Sequence, residues 1–116
     1  MALGKPVREF ETVRTWFQGL RDQWGEDPSD WDDRLEHLAA FCSFAGKDPD
    51  TVIRECVRES ESGMRISAKG RRFYNDKIAE WQASLPGDRP DQARGGNALR
   101  SFLIHNGIFL QSGLQA

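Results

Sequence analysis

The chain has 116 residues, of which 38% are hydrophobic and 29% charged, and its formal net charge is −2. This length supplies one hydrophobic core, so we expect a single domain over residues 1–116. The sequence has no apolar run near 18 residues and no charged-then-apolar leader, so we expect neither a membrane span nor a secretory signal. The expected protein is cytoplasmic, with no membrane partner.

Charge is divided unevenly along the chain. Residues 1–63 contain eight Lys and Arg against fourteen Asp and Glu, whereas residues 64–116 contain eight against four. Because a phosphate backbone requires a positive surface, only the second half is expected to bind one.

The first half predicts three helices. The first begins near Pro6, since proline suits the first helical turn, and it has an apolar stripe of Phe10, Val13, Phe17, Leu20 and Trp24. The second is capped by Ser29 and ends at Gly46. The third starts at Asp48–Pro49, a cap followed by a first-turn proline, and turns Val52 and Cys56 inward.

Two further helices are predicted in the second half. The polar segment 59–65 is expected to be a flexible joint, because it contains Gly63 and no apolar periodicity. The fourth helix covers residues 68–85, and the fifth opens at Pro90 and closes at Gly107 before an apolar tail, residues 108–110. No segment alternates with period two, so the predicted fold is all-α, a compact bundle of four to five short helices.

The two halves of the chain contain a loose internal repeat. LAAFCSFAG begins at Leu38 and LRSFLIHNG at Leu99, and each follows a Trp-x-x-x-Leu segment, at Trp16 and Trp81. The pattern favours a repeated helix pair, with chance as the alternative.

The fifth predicted helix has two different sides on a helical wheel. Leu99, Phe102 and Leu103 gather on one side with Gly95 and Gly96, whose lack of a side chain permits close approach of another helix. The other side forms an outward polar ridge of Arg94, Asn97, Ser101 and His105, flanked by Arg100. Such a ridge fits DNA, because Arg and Asn pair with base edges and Ser and His reach phosphates; the alternative is an ordinary solvated face.

A second basic element, KGRR, begins at Lys69 in the first turn of the fourth helix. Basic residues there oppose the helix dipole, a local cost that is easier to understand if an anion binds nearby. The second helix instead has Asp32, Asp33 and Glu36 on its outward face, and these would repel phosphate.

No catalytic, cofactor or metal site is predicted. His37 and His105 begin none of the usual histidine motifs, and no phosphate-binding glycine loop is present. Tyr74 falls on the apolar stripe of the fourth helix and is interpreted as a packing residue. Cys42 and Cys56 fall at apolar positions, so buried reduced thiols are expected, with a disulfide as the alternative.

The order of features resembles the N-terminal, SAM-like core-binding domain of tyrosine recombinases, or phage integrases. The similarity lies in Trp81 to Leu85, the turn from Pro86 to Pro90, the segment NALRSFLIHNGI from Asn97, and the earlier FCSFAGKDPDTVI from Phe41. It extends over most of the chain from Val7 onward, and the ordered combination is more specific than any one motif.

This resemblance implies a DNA-binding module that grips one side of a recombination site beside other recombinase protomers. The family's catalytic residues lie in a separate domain that is absent here, so the module itself is not expected to cut DNA. By analogy with the family, contacts fall on the helix with Arg94, Asn97 and Arg100 and on the preceding basic segment. Together with the ridge and KGRR, the candidate double-stranded-DNA contacts are Lys69, Arg71, Arg72, Arg94, Asn97, Arg100, Ser101 and His105.

A different class of function remains open from the sequence. The chain could be a helical protein–protein interaction domain that uses its acidic N-terminal half and its apolar tail, residues 108–110. The salt dependence of DNA binding separates the two hypotheses.

Overall fold

The computed structural model describes residues 4–61 and 63–108. This part of the chain forms five α-helices, a short 3₁₀ turn at Val7–Glu9 and one two-stranded hairpin. In chain order the elements are α1 (Glu11–Trp24), α2 (Trp31–Ala45), α3 (Pro49–Glu55), β1 (Val57–Ser60), β2 (Gly63–Ile66), α4 (Ala68–Ser84) and α5 (Arg89–His105). The prediction of a mainly helical domain is confirmed.

Most helix ends follow local sequence signals. Asp48 caps α3 by accepting a hydrogen bond from the Thr51 amide at 2.7 Å, and Gly46 ends α2 with φ at 71°. At the start of α5, Asp88 and Asp91 form a reciprocal capping box. Because these signals act within a few residues, the sequence predicts them well.

Two predicted helix starts are wrong. The first helix begins at Glu11 and not near Pro6, because Phe10 is extended and separates α1 from the 3₁₀ turn. The cap position of α2 is occupied by Asp30 and not by Ser29.

The inward face of α1 also differs from the predicted stripe. Trp16 is fully buried, whereas Phe17 is half-buried and Trp24 is 45% exposed. The helical spacing of the apolar residues is as predicted, but the buried face of α1 is formed by Val13, Trp16 and Leu20. Trp24, in the last turn, lies beyond the core.

Helix α5 is the central element, since it packs against α1, α2 and α4. Its predicted core side is confirmed, because Leu99, Phe102 and Leu103 are fully buried and the Gly95–Gly96 pair is buried with them. A Cβ at Gly95 would press against Trp81 of α4 and against Leu85, the residue that follows α4. The radius of gyration, 14.0 Å, is close to the value of about 13 Å expected for one domain of this size.

The aromatic residues of the loose internal repeat contact each other in the core. Trp16 packs edge-on against Phe102 with ring centroids 5.4 Å apart, and Trp81 packs edge-on against Phe41 at 5.6 Å. Each tryptophan therefore contacts the phenylalanine of the other segment. The two halves share one core and do not form separate units.

The hairpin corrects the all-α prediction. Segment 59–65, expected to be a flexible joint, supplies most of two antiparallel strands in which Val57 pairs with Ile66 and Arg58 with Arg65. The ladder is extended by the Ser67 amide, which donates to the Cys56 carbonyl at 2.8 Å. Only Val57 and Ile66 have apolar side chains that pack against the core, which is too few to produce a visible alternation in the sequence.

Candidate nucleic-acid interface

The start of α4 presents basic side chains to solvent. Ser67 caps the helix by accepting a hydrogen bond from the Gly70 amide at 3.1 Å, and the first turn contains no acidic residue. Lys69 and Arg72 are exposed, and Arg71 is half-buried. Lys69 and Arg72 thus point away from the buried Tyr74 stripe, as the helical period of α4 predicts, whereas Arg71 is partly covered.

Gly70 fixes the position of this first turn. A Cβ at Gly70 would clash with the backbone carbonyl of Glu55, so the glycine allows α4 to begin directly against the end of α3. The close approach is one reason why a residue of poor helix propensity occurs inside the basic segment. It places Lys69 and Arg72 next to the base of the hairpin.

The first two residues of the predicted ridge on α5 face solvent, as expected. Arg94 and Asn97 are exposed, and Arg94 forms an ion pair with Asp91 one turn earlier on the same helix. Because a surface pair of this kind contributes little, Arg94 can exchange Asp91 for a phosphate at small cost.

The next two ridge residues, Ser101 and His105, face α1 and are only partly exposed. Ser101 accepts a hydrogen bond from the Trp16 indole N–H at 3.0 Å. The His105 ring lies against Gly19, and burial, followed by the nearby charge of Arg34, lowers the pKa of this histidine. The prediction that Ser101 and His105 belong to an outward ridge is therefore wrong, because α1 covers this side of α5.

Arg100 points to the opposite flank of α5. Its guanidinium donates to the Gln82 side-chain carbonyl of α4 at 3.0 Å and is half-buried. The expected continuous ridge is thus divided among three surroundings: the α1 interface, the α4 interface and solvent. A helical wheel cannot show this division, since it contains no information on how many neighbours a helix has.

A cleft of about 310 Å³ lies where Arg94 and Asn97 meet α2. Its wall includes Asp30, Asp33 and Arg34, and Arg34 forms an ion pair with Asp30 at 2.8 Å. Two carboxylates beside two guanidinium groups make this cleft electrically mixed. It is a poorer place for a phosphate than the start of α4.

The candidate residues form two separate groups. Gly95, next to Arg94, packs against Trp81 near the end of α4, whereas Lys69 lies at its beginning. The twelve residues from Lys69 to Trp81 correspond to about 18 Å of helix. One compact site cannot contain both groups, so any common ligand must be extended.

Tyr74 and the two thiols are held in the core. The Tyr74 hydroxyl donates a short hydrogen bond to Glu55, and burial together with this bond raises the pKa of the tyrosine. Cys42 and Cys56 are buried and free, and burial raises their pKa values to about 12 and about 11. The packing interpretation of Tyr74 and the prediction of reduced thiols are confirmed.

The candidate contacts predicted from the sequence leave out two basic residues of the hairpin, although Arg65 lies just before the predicted basic segment. Arg58 and Arg65 are exposed and lie directly opposite each other across the strands. The Ser62-Gly63 dipeptide between apolar Val57 and Ile66 is a turn signal that could have suggested the pairing.

Within the described parts of the chain, no group of three or more His, Cys, Asp and Glu side chains is arranged to hold a metal ion. Among the same residues, no helix combines the length and apolar character needed to cross a membrane. Comparison of the chain with protein-family models, with curated proteins and with solved structures found no match in any of the three.

Proposed function

We propose that the chain is a double-stranded-DNA-binding module of a site-specific tyrosine recombinase, which grips one side of a recombination site. The observation that supports this most directly is the exposed pair Lys69 and Arg72 at the start of α4, in a helical turn that itself contains no acidic residue. The Glu55 carboxylate lines the same cleft as Lys69, but it is already bound by Tyr74 and Lys47. The exposed side chains of Lys69 and Arg72 can therefore pair with phosphates. The assignment to a recombinase rests on the resemblance of the sequence to core-binding domains.

The distribution of charge supports the same surface. The α2–α5 cleft mixes Asp30 and Asp33 with two guanidinium groups and has no clear positive charge, and the outer face of α2 exposes further carboxylates that repel a polyanion. Arg94 and Asn97, about 18 Å away along α4, are secondary contacts that a long duplex can reach. Arg100, Ser101 and His105 act as packing residues in this proposal, since each contacts a neighbouring helix.

In the proposed role the module positions DNA and does not cut it. Strand cleavage belongs to a separate catalytic domain, and other recombinase protomers bind the same DNA. The contacts proposed here are mainly to phosphates, which fix position and orientation but read little sequence.

The experiment is a salt titration of duplex binding, followed by fluorescence anisotropy. For the wild type, the logarithm of the affinity should fall linearly with the logarithm of salt concentration, at about 0.9 per phosphate neutralised. Lys69→Ala/Arg72→Ala should reduce this slope by about 1.8, the contribution of two contacts. The control Arg8→Ala/Arg14→Ala removes the same charge from exposed positions in the acidic half and should leave the slope nearly unchanged. Equal effects of the two double variants would contradict the assignment.

A protein–protein interaction domain is the alternative, and one observation favours it. Asp32, Asp33 and Glu36 form an exposed acidic face on α2. The apolar tail gives it less support than expected, because Ile108 is buried in the core, and residues 109–110 lie outside the described part. Absence of salt-dependent DNA binding by the wild type would favour this alternative.

A further inference from the structure

The hairpin is an arm whose base packs against the helical body. Val57 and Ile66, its first cross-strand pair, are half-buried against the core. Farther out, Arg58, Glu59, Met64 and Arg65 are all exposed. A two-stranded hairpin is marginally stable alone, so this apolar base holds the arm in place.

The two faces of the arm differ in charge. Directly opposed residues share a face and successive residues alternate, so Arg58 and Arg65 lie together on one face. Val57, Ile66, Glu59 and Met64 lie on the other face. Glu61 lies in the turn between the two strands, at the far end of the arm.

Placing two arginines directly opposite each other has a cost. Like charges at directly opposed positions destabilise a strand pair. A bound anion between or above the two guanidinium groups reverses the sign of that interaction.

The arginine face continues toward the start of α4. The Ser67 amide bonds to the Cys56 carbonyl, so the ladder runs without a break from the hairpin into the residue that caps α4. Alternation places Ser67 on the same face as Arg65, about 7 Å farther along the strand. Lys69, exposed in the first turn of α4, follows immediately.

From this arrangement we infer that the β1–β2 hairpin is a second DNA-contacting arm, in which Arg58 and Arg65 bind the phosphodiester backbone of the duplex beside the contacts of Lys69 and Arg72. The inference rests on the proposed DNA-binding function and adds a surface to it. Arginine suits this role because its guanidinium is always charged, and contacts to the phosphate backbone depend mainly on charge. The contact is to the backbone, so its loss should weaken binding to different duplex sequences about equally.

The test compares the wild type with Arg58→Gln/Arg65→Gln in a salt titration with two duplexes of unrelated sequence. The variant should lose about tenfold or more of its affinity at 0.1 M salt, and the salt slope should fall by between about 1 and 2. Arg8→Gln/Arg14→Gln is the charge-matched control and should bind like the wild type. Arg58→Lys/Arg65→Lys keeps the charge and should retain most of the affinity.

The outcomes separate the inference from the function on which it rests. If the wild type binds with a steep salt slope and the glutamine variant binds equally well, the arm does not contact DNA, while the proposed function stands. If the lysine variant loses as much affinity as the glutamine variant, the arginines act through structure and not through charge, which also overturns the inference. If the wild type shows no salt-dependent binding, the proposed function fails, and the inference fails with it.

Discussion

Single residues in this molecule are best understood through their partners, and Tyr74 is the clearest case. Its position on the apolar stripe of α4 is visible in the sequence, whereas its hydrogen bond to Glu55, nineteen residues away, is not. Lys47 approaches the same carboxylate, with 3.2 Å between its Nζ and Oε2 of Glu55. One exposed carboxylate thus joins α3, α4 and the loop before α3.

The hydrogen bond from Tyr74 is the main reason why the pKa of Glu55 is lowered from its ordinary value of 4.5, with Lys47 assisting and burial opposing. A lowered pKa in the folded state means that this carboxylate stabilises the protein above about pH 4.5. That stabilisation disappears as the pH falls through the folded-state pKa. Acid should therefore weaken the contribution of the Tyr74–Glu55 pair.

We predict that Tyr74→Phe lowers the free energy of unfolding at pH 7 by about 1 kcal/mol, since the acceptor is charged but partly exposed. At pH 3 the difference from the wild type should be smaller. Urea unfolding at the two pH values measures both quantities. In a Glu55→Gln background, which cannot titrate, Tyr74→Phe should have an effect independent of pH; a pH-dependent effect in that background would assign the titration to another group.

At the scale of secondary-structure elements, predictions succeed where the determinants are local. The Asp48 cap of α3, the glycine that ends α2 and the proline at the start of α5 all act within a few residues, and the structure contains each of them. The hairpin was missed because its stability depends on packing of Val57 and Ile66 against distant core residues.

Helix α1 shows the same limit at its N-terminus. Phe10 occupies the cap position and has no side-chain acceptor, so the backbone donors of the first turn need one from elsewhere. Asp50 of α3 supplies it, accepting from the Thr12 amide at 3.0 Å and from the Thr12 hydroxyl at 2.6 Å. A cap that comes from 38 residues away leaves no signature in the local sequence.

Asp50→Ala should destabilise the protein by between about 0.5 and 2 kcal/mol, the range for loss of an N-terminal cap. Asp50→Asn is the matched control, because its amide oxygen can still accept from Thr12, and we expect it to lose clearly less. Denaturant unfolding monitored by circular dichroism gives both values. Similar losses in the two variants would mean that the charge of Asp50, and not its hydrogen bonds, stabilises α1.

At the scale of the whole molecule, the acidic and basic halves of the sequence form separate acidic and basic surfaces only in part. The exposed carboxylates of α2 and the exposed cations at the start of α4 lie on different elements, as the sequence predicts. However, α5 is surrounded by three helices, so most of its polar ridge is used for packing, and the α2–α5 cleft combines both signs of charge. The positive surface shifts to α4 and to Arg58, which belongs to the otherwise acidic half.

The sequence therefore predicts which residue types could form the site, but it predicts the exposure of only some of them. Lys69 and Arg72 point to solvent, because the regular apolar stripe of α4 is buried and these two residues lie on the opposite side of the helix. Ser101 and His105 do not, because their surroundings depend on α1, which is far away in sequence. Helix periodicity shows which side of a helix is apolar, but the number of neighbouring helices is a property of the tertiary fold.

An NMR titration with duplex DNA tests the central claim, that the hairpin and the start of α4 form the duplex-binding surface. In two-dimensional amide spectra, the largest chemical-shift changes should fall on residues 58–72, including the amides of Arg58, Arg65, Lys69 and Arg72, and they should fade as salt is raised. Changes confined to the acidic face of α2, or no salt-dependent changes at residues 58–72, would contradict the account.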